Sequence, residues 1–347
     1  MMILQIDAFF VAEKLILIAC VLGGALFVAM YSTYAERKVA AFIQDRIGPS
    51  RAGPFGILQP LADGTKLFFK EEFIPGQANT FLFILGPSLA MLTACMTGAV
   101  IPWGDTLQIA GHQVSLQVAD VNIGILYIFG VVSLGVYGIM LGAWASNNKF
   151  SLIGAIRAAS QIISYELAMG LALIALLMIT GSLSLKEIVE QQRHGYWLVV
   201  EQPLGFLIFL ICAFAECNRT PFDLPECESE LIGGYHTEFS SMKLGFYLFS
   251  EYINMFISSA VMATLYFGGY SFPGLDHLGL SQNWLTIAGM VVLAAKICFF
   301  IFLFIWVRWT IPRFRYDQLM NLGWKILIPL ALANMLITGG ILLYLNH

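Results

Sequence analysis

The sequence predicts an all-α, polytopic membrane protein of about eight transmembrane helices, with an interfacial amphipathic helix in the first inner loop. Three observations predict it. Of 347 residues, 59% are hydrophobic and 12% charged, whereas soluble domains carry about 25% charged residues. The apolar excess recurs as separate stretches along the whole chain, most of them long enough to cross about 30 Å of hydrocarbon at a rise of about 1.5 Å per residue. Lys and Arg gather in alternate connections, as membrane topology requires. Residues 1–347 therefore read as a single integral membrane domain.

The expected spans are Leu15 to Tyr34, Phe81 to Ile101, Val121 to Ala145, Gln161 to Thr180, Leu204 to Ala215, Leu244 to Phe267, Trp284 to Val307 and Ile326 to Leu345. The fifth is short, and it reaches spanning length only if its helix runs on through Glu216 toward Arg219. Fourteen of the 18 basic residues fall in the first, third, fifth and seventh connections. The positive-inside rule then puts those connections in the cytoplasm and both termini on the periplasmic side. An odd number of spans would break the alternation. The first residues lack a basic start, short apolar core and small-residue cleavage pattern, so no removable signal peptide is expected. Among the outer connections, Gly111 to Asp120 and Ser271 to Asn283 read as polar turns, and Leu185 to Gln192 as a short interfacial helix.

The six cysteines are scattered and none has CxxC spacing, so neither a zinc site nor an iron-sulfur cluster is expected. Chemistry is concentrated instead on the inner face. In the first inner connection, Gly48, Pro49, Gly53, Pro54, Gly56 and Pro60 impose turns. From Leu58 to Lys70 the apolar residues recur near helical spacing, as in an amphipathic helix that packs on the membrane surface or walls a groove for a lipid-like ligand. The fifth connection holds Glu216, Asp223, Glu226, Glu228, Glu230 and Glu238 around the single internal base Arg219. Such crowding disfavours ionisation, although a solvated acidic loop fits the same residues.

Inside the spans, Glu166, Glu216 and Glu251 lie at similar inner depth on separate helices. Each is costly unless paired, hydrated or protonated. Carboxyls bridged by water pass protons; the alternative is that each satisfies a neighbour such as Arg157, Tyr165 or Tyr252. Lys296, near the middle of the seventh span, is a candidate partner for one of them. Arg308, Arg313 and Arg315, interleaved with aromatic residues, either anchor a helix end or dock a peripheral protein.

Nine strings in order carry a resemblance across nearly the whole chain: AERK (35–38), QDRIGP (44–49), GPFGILQPLADG (53–64), KLFFKE (66–71), SQIISYE (160–166), AECNRTPFD (215–223), ECESELIG (226–233), SEY (250–252) and PRFRYDQLM (312–320). The chain resembles the quinone-channel membrane subunit of respiratory complex I, the family of NADH:quinone oxidoreductase subunit 1. The resemblance implies eight helices in a bacterial inner membrane and a tunnel for a hydrophobic quinone, ubiquinone or menaquinone, as substrate. It implies no flavin, iron-sulfur cluster or metal in this chain, and no complete catalytic centre. The expected partners are the peripheral-arm subunits that carry the terminal iron-sulfur cluster and the quinone-head site, the neighbouring small membrane subunits, the proton-pumping membrane arm and membrane lipids; nucleic acid is not among them. Inner-face loops 35–80, 146–160, 216–243 and 308–325 are expected to meet the peripheral arm. By the same carry-over Glu166, Glu216, Glu251, Asp223, Glu228 and Glu230 couple quinone chemistry to proton movement. Arg37, Asp63 and Lys66 lie near the quinone chamber, while Arg219 and Arg313 are interface positions. Residues 181–202 match no motif. A related membrane-bound hydrogenase or ferredoxin-linked complex, and an independent ion or solute transporter, are the competing functions.

Overall fold

The structure is a computed structural model that describes residues 8–109, 111–226, 228–274 and 281–345, without the side chains of Ala8, Ile109, Glu228 and Ser229. Continuous apolar runs without breakers become helices: α1 (Ala8–Ile43), α3 (Thr80–Thr97), α4 (Gly124–Ala145), α5 (Lys149–Thr180), α10 (Ser241–Tyr266) and α11 (Gln282–Thr310). Shorter elements are α2 (Gln59–Phe69), α6 (Leu185–His194), α7 (Leu198–Glu201), α8 (Pro203–Glu216) and α9 (Glu228–Leu231). The last span starts as α12 (Tyr316–Asn321), widens into a π turn over Leu322–Leu327 and continues as α13 (Ile328–Leu345). Among the described residues, seven helices are long and apolar enough to cross a membrane, and Pro203–Glu216 is a shorter apolar eighth. The protein is a multi-pass membrane bundle.

Several expectations change in detail. Helix α1 does not stop at Tyr34 but continues to Ile43, because no breaker intervenes before Gly48 and Pro49. Residues 35–43 are therefore helix, not loop. Likewise α5 begins at Lys149, where the Asn148 side chain accepts from the Phe150 N–H at 2.8 Å and caps it. Most of the expected loop 146–160 is thus its first turns. Helix α8 does not run on to Arg219: it ends at Glu216 after 14 residues, or about 21 Å at 1.5 Å per residue. The chain turns there as Arg219 N–H bonds back to Phe214 O, and Pro221 follows.

On the opposite face, part of the expected polar turn is a β-hairpin. Strands β1 (Thr106–Ile109) and β2 (His112–Ser115) pair antiparallel, with Ile109 opposite His112 and Gly111 at φ 85°. Of the other expected turn, residues 275–280 lie outside the described residues. Helix α6 forms as expected but does not lie free on the surface. Leu185, Ile188, Val189 and Gln192 are buried, and the Gln192 amide donates to Thr264 O and Leu265 O at the end of α10. The amphipathic α2 also forms, leaving Leu61, Phe68 and Phe69 exposed.

The tightest crossing is that of α3 and α4, where backbones touch. A Cβ added at Gly86 would sit 2.6 Å from Gly142 Cα, and one at Gly138 would sit 2.8 Å from Ala90 N. Small residues permit such approach in membranes. Tyr247 of α10 closes the crossing by donating to Gly138 O at 3.1 Å. Gly138→Val is therefore expected to cost about 1–3 kcal/mol or more, by forcing the helices apart. Gly130→Val, where an added Cβ meets nothing within 4 Å, is the control. Thermal melting of the two purified variants should show a lower midpoint for Gly138→Val alone; equal midpoints would contradict the crossing.

Candidate functional site

Three helices bring carboxyls together toward the face that carries the odd-numbered connections. Glu166 projects from α5 and accepts from Ser133 Oγ of α4. Glu216 is the last residue of α8, and Glu251 lies buried on α10. Glu216 and Glu251 line one cavity of about 40 Å³ together with Tyr235, Tyr247 and Asn254, and Glu216 also lines a second cavity of similar size. A water needs roughly 10–15 Å³ measured in this way, so both cavities admit water. Glu166 lies within electrostatic reach of Glu216.

From Glu251 the row continues out of the bundle. Tyr235 Oη lies 2.8 Å from Glu251 Oε1 and 3.1 Å from Glu226 Oε1, so the two carboxyls face each other across one phenol. One phenol has a single proton to donate. Two ionised carboxylates around it would repel one another, so each disfavours the charged form of the other. Burial opposes charge on Glu226, but hydrogen bonds from Glu251 and Tyr235 and the nearby His236 and Arg219 outweigh it and hold Glu226 below the usual carboxylate range.

Asp223 lies beyond, buried in the fifth connection. Burial first, and Glu226 second, push its carboxyl up to about 6 against the pull of Arg313 and Arg308. Arg313 Nη2 stands 2.7 Å from Asp223 Oδ2. Asp223 and Glu230 therefore pair with other bases and not with Arg219, around which the sequence suggests they gather. Glu230 is half-exposed and pairs with Arg157 at 2.6 Å, so Arg157 is no partner of Glu166. Tyr165 and Tyr252 are not partners of the three glutamates either. Tyr165 donates to Leu319 O at 3.0 Å, and Tyr252 to Glu36 Oε2 at 2.8 Å. The Glu228 side chain lies outside the described residues.

Arg219 faces Glu36 instead. This buried carboxylate of α1 receives Arg308 Nη1 at 2.6 Å, Arg219 Nη1 at 3.4 Å and the Tyr252 hydroxyl, while the Arg219 guanidinium stacks 4.1 Å above the Tyr252 ring. Sequence reasoning passed over Glu36. A signal existed, because Ala25, Ala29, Ser32, Glu36 and Ala40 recur at three and four residues and are all buried. Tyr235 and Ser133 were also missed, and no local pattern marks them.

Arg37, one residue on, turns outward. It pairs with Asp63 of α2 at 2.6 Å, and Lys66 is exposed on the same helix. These three stand apart from the buried row. Lys296 is not a partner of a glutamate: its ammonium donates to Phe267 O, Gly269 O and Ser271 O at 2.6, 2.7 and 2.7 Å, beyond the end of α10. Among the described residues no group of three or more His, Cys, Asp or Glu is arranged to hold a metal ion.

Comparison with known proteins agrees with the resemblance. The family model for NADH dehydrogenase matches residues 15–339. The chain is 68% identical over 340 residues to NADH-quinone oxidoreductase H subunit 1 of Cytophaga hutchinsonii, covering 98% of this chain and 99% of that protein. It is 64% identical to the NADH-quinone oxidoreductase H subunit of Flavobacterium johnsoniae, over 97% of each chain. With NADH-quinone oxidoreductase subunit 8 of Rhodothermus marinus it shares 48% identity over 93% of this chain and 96% of the other. On a match that spans nearly its whole length, the chain belongs to the H-subunit family of NADH-quinone oxidoreductases.

Proposed function

We propose that this chain is the membrane subunit of a proton-pumping NADH-quinone oxidoreductase that forms the access tunnel for quinone and couples its reduction to proton translocation. One observation carries the reading: buried carboxyls follow one another from Asp223, within electrostatic reach of Glu226, through Tyr235, which lies in hydrogen-bond contact with both Glu226 and Glu251, to the cavity that Glu251 shares with Glu216. A quinone ring takes up two electrons and two protons to become a quinol. Electrons reach it from a cluster held by peripheral partners, while protons leave nearby groups. Loss of a proton next to Asp223 alters the proton affinity of Glu226, and in turn that of Glu251. Reprotonation along the row then moves charge toward the membrane arm.

The quinone tail needs an oily path. Helix α2 leaves Leu61, Phe68 and Phe69 exposed, and each buried CH₂ of an isoprenoid contributes about 0.8 kcal/mol. Arg37, Asp63 and Lys66 stand at the polar edge of that path. Ubiquinone and menaquinone share the tail chemistry and both fit. The segments 35–80, 146–160, 216–243 and 308–325 form the surface for the peripheral arm, and the remaining helices meet neighbouring membrane subunits and lipid. Both termini lie on the periplasmic side of a bacterial inner membrane, as the Lys and Arg distribution requires. Glu228 and Glu230 belong to the proposed coupling loop.

In the assembled complex, Glu216→Gln and Tyr235→Phe should leave NADH oxidation by an artificial acceptor intact. Quinone-linked turnover and pumping should fall by roughly tenfold or more, since positioned proton donors contribute about 10²–10⁴. Wild-type rate and stoichiometry in both variants would remove the row from the mechanism. For Arg313→Met the sign follows from the cation it deletes. Arg313 favours the ionised form of Asp223, so its loss moves the Asp223 carboxyl above about 6, and the acidic limb of the pH profile for quinone-linked turnover should shift to higher pH. An unmoved or acid-shifted limb would show that Asp223 does not titrate in the cycle. A photoreactive long-tail quinone should label α2 or its flanks in competition with native quinone; labelling confined to the opposite face would defeat the tunnel.

A further inference from the structure

Beyond the carboxylate row, toward the start of α1, α1 and α11 part to leave an apolar crevice of about 320 Å³. Gly24 and Val28 form one wall, Leu293 and Ile297 the other, and Phe256 of α10 the floor. Leu116, just after the β-hairpin, closes the end nearest the start of α1. The crevice opens outward, and a Cβ at Gly24 would meet nothing within 4 Å. An unfilled apolar slot at hydrocarbon depth forfeits dispersion contacts that a flexible chain restores.

Its dimensions and its mouth say what fills it. Leu17 to Val28 is about 16 Å of helix at 1.5 Å per residue, close to half of the roughly 30 Å hydrocarbon core. The slot therefore spans one leaflet, on the side away from the site. Lys14 and Glu13 stand one turn above it. Lys14 Nζ donates to Gln117 O at 3.1 Å, beside the crevice residue Leu116, and only grazes Glu13 Oε1 at 3.8 Å. An ammonium carries three donors, so hydrogens remain for an anion, and the adjacent carboxylate offers an acceptor to a cation. Side-by-side opposite charges complement a head group that carries phosphate next to a primary ammonium.

We propose that this crevice is a binding site for one acyl chain of a phosphoethanolamine-headed glycerophospholipid, with Lys14 on the phosphate and Glu13 on the ammonium. The site is independent of the quinone path, which the proposed function puts at the opposite end of the bundle. The test uses the whole complex, extracted mildly and washed to a constant lipid content, with tightly held phospholipid counted by mass spectrometry.

Gly24→Phe fills the slot and should retain about one phosphatidylethanolamine fewer per complex than wild type, with unchanged quinone-linked turnover. Lys14→Gln, at a half-buried surface position, should retain less phosphatidylethanolamine on washing. Glu13→Gln should abolish the preference for phosphatidylethanolamine over phosphatidylglycerol. An unchanged phosphatidylethanolamine count in an assembled Gly24→Phe complex overturns the proposal. So does loss of a quinone or of phosphatidylglycerol in place of phosphatidylethanolamine. If Gly24→Phe fails to assemble, the two head-group variants decide: wild-type retention and selectivity in both would refute the site.

Discussion

A charge buried among apolar helices survives only beside an opposite charge, a proton or a set of donors, and that constraint organises the inner half of this bundle. Each buried carboxyl meets it differently. Glu36 draws two guanidiniums and a phenol. Asp223 draws one guanidinium, while Glu226 and Glu251 draw the Tyr235 hydroxyl between them. The first solution fixes a charge and the last leaves one movable. A site that must hold its shape while protons pass through it needs both.

The fixed pairs also join segments far apart in the chain. Arg308 ties the end of α11 to α1, Arg219 ties the fifth connection to the same carboxylate, and Arg313 returns from beyond α11 to Asp223. The Phe314 N–H adds a backbone bond to Pro221 O. A change of charge at Asp223 therefore acts on a braced loop, not on a free one. Next to it lies the Glu226–Tyr235–Glu251 contact, which among the described residues carries no guanidinium brace of that kind.

Hydropathy made the spans legible because, in a bilayer, backbone polar groups must be satisfied within each segment and apolar length alone decides a crossing. It erred where satisfaction is local. The end of α8 depends on a turn at Cys217 to Arg219, and the carboxylate that the continued α1 buries at Glu36 is satisfied by two arginines about 180 and 270 residues later. Costly residues were visible one by one, as Glu166, Glu216, Glu251 and Lys296 were. Partners were not, because pairing across helices is fixed by the three-dimensional crossing and leaves no spacing in the chain. Arg157 illustrates the point: it lies nine residues before Glu166 in sequence but pairs with Glu230.

Lys296 shows what such a cost can support when backbone carbonyls surround the charge. Helix α8 is short, and α10 ends at Tyr266, where Gly268 and Gly269 take positive φ and the chain leaves helical geometry. Irregular backbone at that depth exposes carbonyls that lipid cannot satisfy. The Lys296 ammonium collects three of them, Gln192 collects two more from the last turn of α10, and Trp197 covers the ammonium at 5.1 Å. Residues 181–202, silent as sequence, thus pack across the end of the bundle where α8 is short and α10 gives way to irregular backbone. The apolar spans alone would leave these carbonyls unsatisfied, and two polar side chains packed against them supply the donors that lipid cannot.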